Sequence, residues 1–239
     1  MHHLSTITIL AIAITLLGCS TTVTQTRQRP DSGQFVGSAG IDGPGARIIA
    51  QATVGAFQVG DVSIHGGTHL DILKQEGVLH SGNLGGSARA YLGAATDLGL
   101  QVDYMTGYEG YFGGLYMLTL TPRLLTNLPW LSGPTETYYA GLQSNVSMGR
   151  QLVYHTDEST GMTTSSIESQ IRTVLFGVVV GYETSLTDSI NIQVELTASP
   201  VGMNSDGSLM LGWQDAIEHC WGPQPCPSAL QGSVGINFR

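Results

Sequence analysis

Two histidines and an aspartate fall close together in the run His65-Gly-Gly-Thr-His69-Leu-Asp71. Imidazole and carboxylate are good ligands for a divalent metal such as zinc, and His80 lies close by in sequence. A polar, glycine-rich surface loop would have the same composition. Elsewhere, His80-Ser81 and His155-Thr-Asp157 place an imidazole beside a hydroxyl or carboxyl group, the materials of general acid–base or nucleophilic catalysis. Cys220-Trp-Gly-Pro-Gln-Pro-Cys226 has the spacing of a small disulfide-closed loop in an oxidising compartment. Trp130, Trp213 and Trp221 add aromatic surface, suited to local packing or to recognition.

Whatever holds these groups is built of strands. In Ile190–Ala198 the apolar residues Ile190, Ile192, Val194, Leu196 and Ala198 alternate with Asn191, Gln193, Glu195 and Thr197. A period of two sends the sets to opposite faces. The arm before it stacks Val174, Phe176, Val178, Val180 and Tyr182 on one face, and Ser185–Asp188 links the two arms as a tight turn. The same parity recurs in Arg47–Gly60, Ser87–Ala95, Leu98–Met105, Phe112–Thr121, Thr137–Gly149 and Leu230–Arg239. With the two arms this predicts eight strands. Long connections, Asp61–Gly86, Arg150–Gln170 and Pro200–Ala229, contrast with tight ones at Thr96-Asp97 and Ser185–Asp188, the loop pattern of a barrel that crosses a membrane.

The 239 residues suit a single domain, with 32 glycines and few charges (11%). The net charge of −9 gives no electrostatic footprint for nucleic acid. Ile9–Leu17 is an apolar run too short to span a bilayer as a helix and ends at small residues, as an export signal does. It closes on Leu16-Leu17-Gly18-Cys19, which resembles the lipobox of bacterial lipoproteins. The resemblance implies a signal peptide over 1–18, acylation of Cys19 as the mature N-terminus and, because Ser20 follows, sorting to the outer membrane. Residues 19–45 are poor in hydrophobics and read as a flexible tether, with the barrel over 46–239.

Alternation alone leaves open which face is inside. The polar rows carry small residues that suit a narrow lumen, together with Arg47, Arg89, Asp103 and Glu195 as lumen charges. The apolar rows place Tyr104, Tyr138 and Tyr182 near strand ends, where interfacial aromatics belong. Gln231–Phe238 resembles the terminal strand of outer-membrane barrels, and residues 46–239 resemble in architecture the small eight-stranded barrels of the outer-membrane protein A type. That resemblance implies an all-β, eight-stranded antiparallel up-and-down transmembrane β-barrel with both termini periplasmic and the long loops at the cell surface. Its expected partners are outer-membrane lipid and an unidentified surface ligand, its role structural or in binding, with no cofactor. A lipid-anchored soluble periplasmic barrel carrying a small apolar ligand is the alternative. The His65–Asp71 run is also similar to the metal-binding HxGTHxD segment of the formamidase-type cyclase family. That likeness implies His65, His69 and Asp71 as ligands of a divalent metal and, as a further alternative, a metal-dependent hydrolase.

Overall fold

In a computed structural model the chain is described for residues 26–27, 29–42, 47–56, 59–69, 80–109, 113–156, 163–203, 207–211 and 230–238. The strands are β1 (Phe35–Asp42), β2 (Arg47–Ala56), β3 (Gly60–His69), β4 (His80–Tyr91), β5 (Thr96–Glu109), β6 (Gly113–Asn127), β7 (Glu136–Thr156), β8 (Thr163–Thr187), β9 (Ile190–Met203), β10 (Leu209–Leu211) and β11 (Leu230–Phe238). Each strand from β1 to β9 pairs antiparallel with the next, and β11 lies between β9 and β1, with Gly37 opposite Phe238. The sheet therefore closes into an up-and-down antiparallel barrel of ten strands. β10 is a short extension paired to the end of β9.

The barrel has ten strands where the alternation predicted eight. The two additional strands are β1 and β3. β1 occupies residues assigned above to the tether, and β3 occupies the start of the expected Asp61–Gly86 loop. The expected loop Arg150–Gln170 is also largely strand, since β7 runs to Thr156 and β8 starts at Thr163. These two strands are the longest, at 21 and 25 residues, so the wall is taller on their side than at β1, with 8.

The faces sort by polarity, inside out relative to a water-soluble barrel. Along β9 the buried row is Asn191, Gln193, Glu195, Thr197 and Ser199. Buried rows on the neighbouring strands include Gln51, Thr53, Ser63, His65, Arg89, Gln101, Asp103, Thr119, Thr121, Arg123, Gln143 and Asn145. The outward rows carry Ile64 (70% exposed), Leu84 (70%), Leu100, Val102, Leu124, Leu142, Phe176, Val178, Val180 and Ile236. The apolar rows do not face the barrel interior, as the soluble ligand-carrying alternative requires. A few apolar residues do face inward, among them Val36, Ile49, Met105 and a small cluster of Leu125, Tyr139 and Val179. Aromatics gather toward one mouth, where Phe35, Trp130 and Phe238 are exposed and Tyr138 lies 4.8 Å from Tyr182.

With an even number of strands, β1 starts and β11 ends at that same mouth. Val59 and the connections 92–95, 128–135 and 188–189 lie there too. We call it the entry mouth.

Candidate functional site

The polar groups with chemical potential lie inside the barrel, in three levels. The first is at the entry mouth and is made partly by the chain before β1. Thr26 and Arg27 are almost fully buried. The Thr26 hydroxyl donates to Glu183 Oε1 (2.7 Å) and the Arg27 backbone N–H to Glu183 Oε2 (2.5 Å), which also accepts from Asn191 Nδ2 at Oε1 (3.0 Å). The Arg27 guanidinium donates to Asn127 Oδ1 through Nε and Nη2 and pairs with Asp97 at 2.7 Å through Nη1. Arg29 meets the other Asp97 oxygen at 2.7 Å and stacks on the Tyr91 ring at 4.4 Å. Arg89 donates to the Thr26 carbonyl oxygen (2.6 Å) and to Asp61, whose carboxylate also accepts from the Tyr91 hydroxyl (2.6 Å). A bridge from Ser32 to Gly55 of β2 completes the path.

The partners lie on β8, β6, β5, β4 and β2 in turn. In a ring of ten, β8 and β4 are nearly opposite, so the few residues from Thr26 to Ser32 cross the mouth instead of running along its edge. Burying these charges costs several kcal/mol each unless every one is matched. Here each guanidinium has a carboxylate. Burial pulls the Arg27 guanidinium below its ordinary pKa, and the Asp97 carboxylate opposes that pull.

The second level is a crossbar. Arg123 on β6 pairs with Glu195 on β9, and Glu195 also accepts from the Tyr139 hydroxyl (3.0 Å), which accepts in turn from Gln193 (2.7 Å). The Tyr139 ring lies on Gly181, where a Cβ would overlap it. Between the two levels is a cavity of about 20 Å³ lined by Arg27, Arg89, Asp97, Gly99, Arg123 and Leu125. This is room for a water molecule, and the lining residue Arg123 has no protein partner for its Nε.

The third level is a histidine–aspartate pair. His65 Nε2 sits 2.6 Å from Asp103 Oδ1, while Gln101 donates to Asp103 Oδ2 (2.6 Å) and Asn83 approaches Oδ1 at 3.4 Å. Gly85 of β4 stands between β3 and β5, and its missing Cβ leaves the space in which the pair meets. His65 Nδ1, Gln51 Oε1, Asn83 Oδ1, both amide atoms of Gln143 and the hydroxyls of Ser199 and Ser233 are buried with no protein partner. Buried water is the usual partner of such atoms.

Among the residues singled out from sequence, Arg89, Asp103 and Glu195 are buried in these levels. Their partners Asp61, His65 and Arg123 come from other strands. Arg47 and His69 lie in β2 and β3 opposite one another, and their side chains are outside what is described. Asp71, Cys19, Cys220, Cys226, Trp213, Trp221 and Asp157 lie outside the described residues, as do the side chains of His80 and His155. No group of three metal-ligating side chains occurs among the described residues. Sequence reasoning missed Thr26, Arg27, Arg29, Asp97 and Arg123, since a pairing across the lumen leaves no local signal.

No protein-family model matches the chain, and no curated protein matches it. Among solved structures, OmpT of Vibrio cholerae, an outer membrane protein folded in vitro, matches at 11% identity over 95% of this chain and 72% of that one, with a TM-score of 0.37.

Proposed function

We propose that this chain is an outer-membrane β-barrel lipoprotein whose role is structural or in binding at the cell surface. One observation carries the membrane reading: a closed barrel with its polar rows inward and exposed large apolar side chains on the outer face of its strands. Soluble monomers rarely expose an apolar patch beyond about 300–600 Å². The outward apolar rows of β5, β6 and β8 alone place Leu98, Leu100, Val102, Tyr104, Tyr116, Leu118, Leu124, Phe176, Val178 and Val180 at the surface, which calls for a non-aqueous surround. Antiparallel strands closed on themselves leave no unpaired edge to hydrocarbon along the wall, the condition for a sheet to cross a bilayer. Phe35, Trp130, Tyr138, Tyr182 and Phe238 then form an interfacial belt at the entry mouth, and Tyr104 and Tyr116 stand toward the other end of their strands.

In this reading the entry mouth faces the periplasm, with both termini. A lipid on Cys19 lies seven residues before Thr26, so at most ~25 Å of chain separates the inner-leaflet anchor from the entry mouth. The connections at the opposite mouth, one of them stapled by a Cys220–Cys226 disulfide, face the cell surface. The test is expression in a Gram-negative host. The protein should fractionate with outer membrane, require detergent, show a heat-modifiable band on gels and take up radiolabelled palmitate that Cys19→Ala abolishes. Recovery of the Cys19→Ala protein as a soluble folded species in buffer would overturn the membrane reading. Absence of palmitate label would overturn the lipid anchor alone.

A further inference from the structure

The segment that crosses the entry mouth is not part of the wall. The ten strands close without it, since β1 pairs with both β2 and β11. It nevertheless holds the most heavily charged contacts of the interior: the Thr26 hydroxyl and the Arg27 backbone N–H on Glu183, and the Arg27 and Arg29 guanidiniums on the two oxygens of Asp97. A segment serving only to join a membrane anchor to β1 would pass outside the rim, in water, where no charge need be buried. Here it passes through the opening and is matched group for group from β4, β5, β6 and β8.

We propose that Thr26, Arg27, Arg29 and Pro30 act as a stopper for an aqueous conduit, and that the protein passes small inorganic cations when the stopper leaves. This rests on the membrane-spanning reading above. Beyond the stopper the interior is lined by hydroxyl, amide and charged side chains, and polar atoms of Gln51, Asn83, Gln143, Ser199 and Ser233 have no protein partner and are free to turn toward water or an ion. The Arg123–Glu195 crossbar stays in the path and limits passage to ions and solutes of similar size. The sign of the preference follows from what the stopper removes. Arg27 and Arg29 depart with it. Among the described lumen side chains this leaves the carboxylates of Asp61, Asp97, Asp103, Glu183 and Glu195 against the guanidiniums of Arg89 and Arg123. An interior with surplus carboxylate concentrates cations and repels anions.

The test is conductance across planar lipid bilayers in potassium chloride, with the full chain and with an otherwise full-length variant lacking residues 24–31. Folding and insertion of both are checked first by the heat-modifiable band, so that failure to insert counts against the membrane reading and not against the stopper. The inserted full chain should be closed nearly all the time. The deletion should conduct in steps and stay open for most of the recording, and under a potassium chloride gradient its reversal potential should lie toward that of potassium. A synthetic peptide of residues 24–31, added on the side of the entry mouth, should close the deletion variant, and the same peptide with Arg27→Ala should not. Equal conductance of the inserted full chain and deletion variant, or none from either, would overturn the proposal. A reversal potential toward chloride would overturn the cation preference.

Discussion

Arg123 reaches from β6 to the Glu195 carboxylate on β9, three strands further round the wall, and both are buried. The contact ties two sides of the lumen that share no backbone hydrogen bond. Arg123→Ala leaves Glu195 charged in the interior with Tyr139 as its remaining described partner, and removing one member of a buried pair typically costs about 3–5 kcal/mol. Arg123→Met with Glu195→Leu removes both charges and should recover most of that loss. Urea unfolding in detergent decides it, and a double variant no more stable than Arg123→Ala would count against the pairing.

The stopper segment should resist protease. Trypsin cuts after arginine, yet Arg27 is 4% exposed and held by Asn127 and Asp97. Folded protein should lose no mass by cleavage after Arg27 under conditions that cut denatured protein fully. Asp97→Ala should render the bond cleavable while the barrel stays intact on gels. Rapid cleavage in the unsubstituted protein would place the segment outside the lumen.

The outward rows should behave as lipid contacts. Leu100 on β5 is exposed between Ala88 and Pro122. Leu100→Arg should destabilise the bilayer-inserted barrel by about 2–4 kcal/mol, the range for a cation at mid-membrane. A surface position in water would change by less than about 0.5 kcal/mol. Reversible unfolding from vesicles measures the difference.

Gly181 is fixed by Tyr139. A methyl group there overlaps the ring, which cannot swing away without losing Glu195 and Gln193. Gly181→Ala should cost about 1–3 kcal/mol as an overpacked site. The cost should largely vanish in a Tyr139→Ala background, a coupling that a double-mutant cycle reads directly. Additive costs would mean that the two residues do not touch.

The all-β class and the barrel were legible because strands such as β9 alternate over nearly their whole length. β1 and β3 were not. In β1 the outward row mixes Phe35 with Gly37 and Ala39, and in β3 the pattern of Val62 and Ile64 dissolves into Gly66 and Thr68. Small residues satisfy a wall that needs only backbone pairing, yet they carry no hydrophobic period, so both stretches read as linker or loop. The site was legible in part. Arg89, Asp103 and Glu195 stand out as charges in polar rows, whereas their partners are set by register and closure. Asp103 meets His65 across β4 only because position 85 lacks a side chain. The His65–Asp71 run drew attention as a local motif, but the contact that His65 makes is with a residue 38 positions away.

Closure through β1 and β11 has a kinetic consequence. Hairpins such as β4–β5 and β8–β9 form from neighbouring residues and need little chain search. The Gly37–Asp42 edge of β1 finds its second partner only in Ser233–Phe238, almost the whole described chain away. Until that pairing is made, two edges with free N–H and C=O groups stand open, one on each side of an incomplete ring, and such edges invite pairing with other chains. Closing them is a step of very high contact order and should limit the rate of assembly. The chain is therefore most vulnerable to aggregation just before its first strand meets its last.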